Sequence, residues 1–423
     1  MPRLSPRCAA MRSASRASTH ATRGTTIAKN SHLRMATRYP SEPCRKRCRP
    51  GAGSRRRLRE RARHDDAVRE SSVPLRVVNS TAPIRICDNG GWTDTWFAGH
   101  GKVFNIGMQP YVEVQLAVHA IGSRPDRVVI DAQNYGDRYS FEPGARPGRH
   151  PLLEAAIAEV GLPDGISVEI SIRSEVPAGC STGTSASVTV AIIGALDALT
   201  SGRMTQHDIA YAAHRVETER LGMQSGIQDQ LCAAYGGINY IEMPSYPFAS
   251  VSQIAVSDAV RSELDHCLVL LFLGRPHVSS EVHDRVIAAL EGAGPDAPEL
   301  DALRGAAVAA RDAVAAADIP ALGRAMISNT DAQRRLHDGL VSADAQTVIE
   351  VARENGALGW KVNGAGGEGG SITLLCGSDT RSKRHLLRAV REACALCQVI
   401  PTSMSIDGVR VWEPRSATGR RLR

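Results

Sequence analysis

The residues best suited to chemistry lie in PAGCSTGTSASVTVAIIGALDAL at 177–199, a glycine-punctuated polar loop that runs into an apolar helix. The start of a helix exposes unpaired N–H donors and a partial positive charge. Gly179 and Gly183 let the chain fold those donors around an anion without Cβ clashes. Ser181, Thr182, Thr184 and Ser185 add hydroxyls that can meet phosphate oxygens or a hard cation such as Mg²⁺. Taken alone, the stretch fits a Ser/Thr-capped core helix equally well, and both readings stay open.

Three carboxylates could serve such a site: Asp94 in GGWTD, Glu217 in VETERLGM and Asp229 in GIQDQ. Phosphoryl transfer to an alcohol needs a group that orients or deprotonates the hydroxyl, a metal on the phosphates and donors for the developing charge. Each acid by itself also fits a solvated or capping residue. Arg85 is more telling, because an arginine in a half-buried β run needs a carboxylate partner. A third segment, Gly364-Ala-Gly366-Gly367-Glu368-Gly369-Gly370, satisfies G-x-G-x-x-G. The dinucleotide fingerprint follows a strand and opens a helix, whereas this run is read as following a helix and opening the strand SITLLC. No G-x-x-x-x-G-K-[ST] occurs, so a bound nucleotide would be held without a P-loop lysine. Five glycines in seven residues imply close approach of backbone to backbone or to a ligand.

The chain that must position these residues has 423 residues, enough for one large or two ordinary domains. Its formal charge of +7 divides unevenly, since residues 1–70 hold 19 of the 51 Lys and Arg but 5 of the 44 acids. The first 70 residues therefore carry net +14 and the remainder net −7. Nothing in that balance points to nucleic-acid binding by the folded part, and the absence of a long apolar run argues against a membrane span. Residues 1–70 read as a disordered basic extension, with translated leader sequence, a transit peptide and a nucleic-acid-binding tail as alternative readings. The ten cysteines are mostly single and lie in apolar runs, which implies reduced thiols and a cytoplasmic protein. Cys394 and Cys397 are read in the same way, as two small buried residues of one helix.

The pattern predicts strands at 75–79 and 83–87, an Asn89-Gly90-Gly91 turn, a half-buried strand at 111–121, a strand pair at VVIDAQNY and RYSFEP, and a strand at 166–177. Helices are expected at 151–160, 206–221, 227–234, 278–290, 299–317, 320–335, 343–357 and 380–396. CLVLLFLG reads as a fully buried strand, and a closing strand pair is expected near 398 and 409. The fold class is α+β, with an N-terminal domain over 72–255 and a C-terminal domain over 256–415.

APIRICDNGGWTD, PAGCSTGTSAS and NGAGGEGGS, in this order and spacing, resemble the three motifs of the GHMP kinases, and GIQDQ after AHRVETERLGM resembles their catalytic-aspartate segment. The likeness covers about residues 74–412, and GGWTD resembles the L-fucokinase and heptose 7-phosphate kinase branch. It implies a two-domain fold with a mixed α/β N-terminal layer and a ferredoxin-like α+β C-terminal domain. It further implies ATP- and Mg²⁺-dependent phosphorylation of the anomeric hydroxyl of a sugar or sugar phosphate. Under that resemblance Asp229 would accept or orient the hydroxyl proton and Arg85 would pair with it. Ser185 and Glu217 would hold Mg²⁺, while Pro177 and Gly179 to Ala186 (Gly179, Ser181, Thr182, Gly183, Thr184, Ser185, Ala186) would wrap the ATP phosphates. Gly364, Gly366 and Gly367 would close the site against the phosphate loop, and Gly91, Trp92, Thr93 and Asp94 would meet the sugar. The expected assembly is a monomer or homodimer.

Three positions depart from the family pattern: Thr184 replaces a serine, Glu368 interrupts the glycine run, and Gly91-Trp92 replaces the Glu-His of galactokinases. The last argues against galactose. The other two leave room for a catalytically silent sugar or nucleotide sensor on the same fold.

Overall fold

The computed structural model describes residues 73–200, 203–277 and 281–414; the basic extension expected over 1–70 lies outside the described residues. Two sheets organise the described chain. Strand β1 (Arg76–Asn89) and the 20-residue β2 (Gly101–Ala120) form the antiparallel spine of the first. One side of β2 continues through β5 (Ile166–Ser174), then β3 (Val128–Ala132) and β4 (Asp137–Phe141), with β3 and β5 parallel. The other end of β2 pairs with β6 (Ile238–Ser245), which pairs with β7 (Phe248–Gln253). Helices α1 (Pro151–Val160), α2 (Thr184–Asp197), α3 (Gln206–Arg215) and α4 (Gln228–Tyr235) cover this sheet.

Two strands were expected at 75–79 and 83–87, yet β1 runs unbroken from Arg76 through Pro83 to Asn89. Proline cannot donate to the ladder, and the strand absorbs it as a register shift between Ala82 and Ile84. Three residues of β2 (109–111) stand opposite Pro83; before this shift Val78 and Ala82 pack under α1–α4, and after it Ile84 and Ile86 pack in a second core. A second shift, between Ile86 and Asn89, contains Cys87 at φ 55° and turns Asp88 into the interior.

The second sheet runs β11 (Gln398–Ile400), β8 (Leu268–Phe272), β10 (Ser371–Leu375), β9 (Gly359–Val362), all antiparallel. Between β8 and β9 come α6 (Glu281–Ala293), α7 (Pro298–Ala315), α8 (Ile319–Leu336) and α9 (Ala343–Glu354), and α10 (Thr380–Ala393) follows β10. Leu268, Leu270 and Phe272 face α7 and α8 while Val269, Leu271 and Leu273 face α9 and α10. Burial on both faces explains the unbroken apolar run of β8.

Several expectations need correction. The helix expected over 206–221 becomes a π-helical turn at Val216–Arg220, the segment carrying Glu217. Strand β7 and helix α5 (Asp258–Cys267) were not anticipated; β7 is mostly exposed, whereas α5 carries a readable signal in its Ser257 cap and in Val260, Leu264 and Cys267 at helical spacing. The strands near 398 and 409 do not pair with one another: β11 joins the second sheet, whereas β12 (Ser403–Met404) and β13 (Arg410–Trp412) return to β2 and β1 of the first. Cys394 and Cys397 lie beyond the end of α10 and are joined by a disulfide, so they are not the reduced helical pair expected. The glycine run follows strand β9 rather than a helix; it still opens a strand, so the dinucleotide reading stays excluded.

Gly323 on α8 lets that helix touch β9, since a Cβ there would lie 2.2 Å from the Leu358 carbonyl oxygen. The contact matters because α8 also carries Asn329, which accepts the Gly90 N–H at 2.7 Å, and Gln333, which donates to the Gly364 oxygen at 3.1 Å. Gly323→Ala is expected to lower stability by about 1–3 kcal/mol, the usual range for overpacking, as read by denaturant unfolding.

Candidate active site

Helix α2 begins without a side-chain cap, and its N-cap residue Gly183 is left-handed at φ 68°. Gly179 at φ 71° and Ser181 at φ 56° share that conformation, which turns the loop back on itself before the helix starts. Only glycine fits position 183, where a Cβ would lie 3.1 Å from the Asp229 Cγ and 3.3 Å from the Arg85 Cγ. The uncapped first turn of α2 thus abuts the candidate catalytic pair. An uncapped N-terminus with free amide donors and flanking hydroxyls fits the phosphates of a nucleotide.

Arg85 and Asp229 are bound side to side, Nε to Oδ1 at 2.7 Å and Nη2 to Oδ2 at 3.1 Å. The third guanidinium nitrogen donates to the Ser181 carbonyl, and the Arg85 N–H donates to the Thr182 carbonyl at 2.9 Å. Burial opposes the charge on Arg85, but Asp229 and then Asp88 hold its pKa above the ordinary value. Asp229 sits in the first turn of α4 with its side chain 27% exposed, facing a cavity of about 430 Å³.

Gly91, Trp92, Asp94 and Gly364 line this same cavity, together with Trp96, Phe97, Ser225, Gln228, His277, His283 and Asp284. Trp92, left-handed at φ 77°, stacks on His283 with ring centroids 5.9 Å apart. Asp94 is nearly buried and accepts the Gln228 N–H at 3.0 Å; burial raises its pKa to about 6 against that bond. Thr93 lies beneath the turn, donating its hydroxyl to the Gly90 oxygen at 2.7 Å, and does not line the cavity.

Gly179, Thr184 and Ser185 border a second cavity of about 290 Å³ on the other side of the loop, walled by Tyr135, Leu152, Leu153, Ile172 and Val188. Ser185 is exposed there, while Glu217 is buried and lines neither cavity. The structure therefore does not place these two expected metal ligands in contact. One oxygen of Glu217 accepts from Ser225 at 2.5 Å and Gln230 at 2.8 Å; the other is buried without a partner. Burial, with Asp229 adding to it, raises the Glu217 pKa to about 7 against those two hydrogen bonds. The orphaned oxygen suits a hard cation. No group of three or more His, Cys, Asp or Glu is gathered for a metal among the described residues, so phosphate oxygens and water would supply the other ligands.

The glycine run packs closely against the loop before α2, the close backbone approach its composition implied. Gly364 and Gly370 are left-handed, and a Cβ on either would lie 3.2 Å or 2.6 Å from side-chain atoms of Ser181. Gly369 likewise abuts the backbone of Arg275 and Pro276. Glu368, the carboxylate within the run, is exposed.

Sequence reasoning missed Asp88, Lys361, His277 and His283. The signal for Lys361 was available, as a lone lysine in the apolar strand around Trp360 and Val362. His277 offered none; its N–H donates to the Gly179 carbonyl at 2.7 Å only because the fold brings 277 beside the loop. Burial lowers the pKa of both histidines, keeping them neutral.

The sequence pattern of the GHMP kinases N terminal domain matches residues 152–237, which include the phosphate-loop candidate and Asp229. A D-glycero-alpha-D-manno-heptose 7-phosphate kinase of Campylobacter jejuni is 23% identical over 348 residues, covering 80% of this chain and 99% of that protein. A bifunctional fucokinase/GDP-fucose pyrophosphorylase of Arabidopsis thaliana is 22% identical over 334 residues, 73% of this chain and 31% of that one. Among solved structures, a D-glycero-D-manno-heptose 1-phosphate kinase from Bacteroides thetaiotaomicron superposes with a TM-score of 0.62 at 22% identity, covering 80% of this chain and 100% of that one, and so shares the fold. Residues 152–237 thus match the GHMP kinase N-terminal domain, and the chain is similar to sugar kinases over most of its length, which supports a phosphotransferase.

Proposed function

We propose that this protein transfers the terminal phosphoryl group of ATP to a hydroxyl of a sugar, the anomeric one by the family resemblance. The observation that carries the reading is the Arg85–Asp229 pair set against Gly183, at the uncapped start of α2 and at the wall of a sugar-sized cavity. In this reading the amides and hydroxyls of 179–186 hold the phosphates. Asp229 orients the acceptor hydroxyl and takes its proton, and Arg85 fixes the carboxylate and stabilises the alkoxide. Gly91, Trp92 and Asp94 bind the sugar, with the aromatic wall of Trp92, Trp96 and Phe97 suited to its apolar face. Mg²⁺, held by Glu217 with phosphate oxygens and water as its other ligands, would neutralise charge on the transferred group.

The charges of the cavity favour an uncharged sugar of the fucose kind over a sugar phosphate. Among the described lining residues Arg85 is the one guanidinium, and it is engaged by Asp229. Asp94, Asp229 and Asp284 face the acceptor, and the two histidines are neutral. Like charges about 4 Å apart cost about 1–4 kcal/mol between water-like and surface-like dielectrics.

Three outcomes are expected. Asp229→Ala lowers kcat by at least about a thousandfold with the ATP KM within a few-fold of the parent; steady-state ADP release that keeps its kcat would remove Asp229 from proton transfer. The Mg²⁺ concentration for half-maximal rate rises as pH falls from 8 to 6, because Glu217 protonates near pH 7 and a protonated carboxyl is a poor cation ligand. In Glu217→Gln this pH dependence disappears. With L-fucose, D-galactose and manno-heptose with and without a 7-phosphate, kcat/KM is at least about tenfold higher for the best uncharged sugar than for the phosphate, a difference of about 1.4 kcal/mol.

A further inference from the structure

Asp88 occupies the second irregularity of β1, where Cys87 at φ 55° directs the carboxylate inward, and it is fully buried. Its Oδ2 accepts the Gly364 N–H at 2.9 Å, and its Oδ1 lies 3.3 Å from the Lys361 Nζ and 3.9 Å from the Arg85 Nη1. Lys361 is 1% exposed; its ammonium also donates to the Val362 carbonyl and reaches the Gln333 Oε1 at 3.4 Å. Burial lowers the lysine pKa, and Asp88 opposes that shift.

A stability role does not account for this pair. Taking both charges out of water costs several kcal/mol each, and apolar residues of similar volume are often as stable or more so. What the pair does provide is a line of alternating charge, Lys361, Asp88, Arg85, Asp229, of which the last two reach the cavity wall. Through Arg85 it reaches the Ser181 carbonyl of the phosphate loop, and through Gly364 it holds the glycine run that closes over Ser181.

We propose that Asp88 and Lys361 are positioning residues for phosphoryl transfer. Asp88 holds the Arg85 guanidinium square to Asp229 and ties the glycine run to β1, and Lys361 offsets the Asp88 charge so that Arg85 stays committed to Asp229. Without Lys361, Asp88 competes with Asp229 for the guanidinium. Without the Asp88 charge, the lysine ammonium faces Arg85 unopposed. This inference rests on the kinase reading above.

The test compares Asp88→Asn, Lys361→Met and the double variant Asp88→Asn/Lys361→Met with the parent by steady-state ADP release, using kcat per folded molecule from parallel thermal unfolding. Each single variant is expected to lose at least about thirtyfold in kcat with both KM values within about threefold of the parent. The double variant, in which the asparagine carbonyl still accepts from Gly364 and the opposed charges vanish together, is expected to recover to within about fivefold and to unfold no lower than the parent. Should a single variant fail to fold, the double variant still decides. Its kcat near the parent supports the proposal, and a loss of thirtyfold or more overturns it. Single variants that keep kcat, or losses confined to KM or to folded yield, overturn it as well. A parent protein inert toward every sugar overturns the kinase reading together with this inference, whereas an active parent indifferent to these substitutions overturns the inference alone.

Discussion

The arrangement depends on how one buried guanidinium is satisfied. Arg85 spends two nitrogens on Asp229 and a third on the Ser181 carbonyl, while its own N–H reaches the Thr182 carbonyl. A buried arginine left with unmatched donors would be costly, so these bonds constrain three chain segments at once. β1 must deliver Arg85, the loop before α2 must turn its carbonyls toward it, and α4 must begin where Asp229 can meet it side on. Gly183 answers that crowding, because its left-handed φ strains a side chain and a Cβ there would press on the pair at 3.1–3.3 Å.

Backbone strain is concentrated at the same place. Cys87, Trp92 and Ser181 are non-glycine residues in left-handed conformations, each costing about 1–3 kcal/mol. The first turns Asp88 inward, the second lays the indole on His283, and the third lets the phosphate loop lie against both Arg85 and the glycine run. Tight packing elsewhere, such as α8 on β9 through Gly323 and Gly359, supports these conformations from behind.

Much of this was legible in the sequence. The glycine-punctuated loop, the start of α2, the Asn89-Gly90-Gly91 turn, the buried β8 and the partnership of Arg85 with a carboxylate all follow from local rules about caps, turns, periodicity and charge burial. What escaped depends on contacts far apart in the chain. The 75–79 and 83–87 runs read as two strands, and only the β2 partner shows that one strand continues through an irregularity at Pro83. Asp88 reads as a turn residue until Lys361, more than 270 positions later, is seen against it. Strand β13 returns to the first sheet because β1 offers it an edge, which no local pattern announces. Within the site, Arg85, Asp229, Gly91, Trp92, Asp94 and Gly364 share one cavity, while Thr93 braces the turn and Ser185 and Glu217 stand apart, a geometry that spacing alone does not encode.

The central claim is that phosphate is held at the start of α2, next to the Arg85–Asp229 pair. A crystal structure with a non-hydrolysable ATP analogue and Mg²⁺ tests it most directly. The account predicts the β- and γ-phosphates on the amides of 181–186, the terminal phosphate beside the Asp229 carboxylate and the sugar cavity open in front of it. Phosphates bound elsewhere, or a nucleotide whose terminal phosphate is walled off from Asp229, would contradict it.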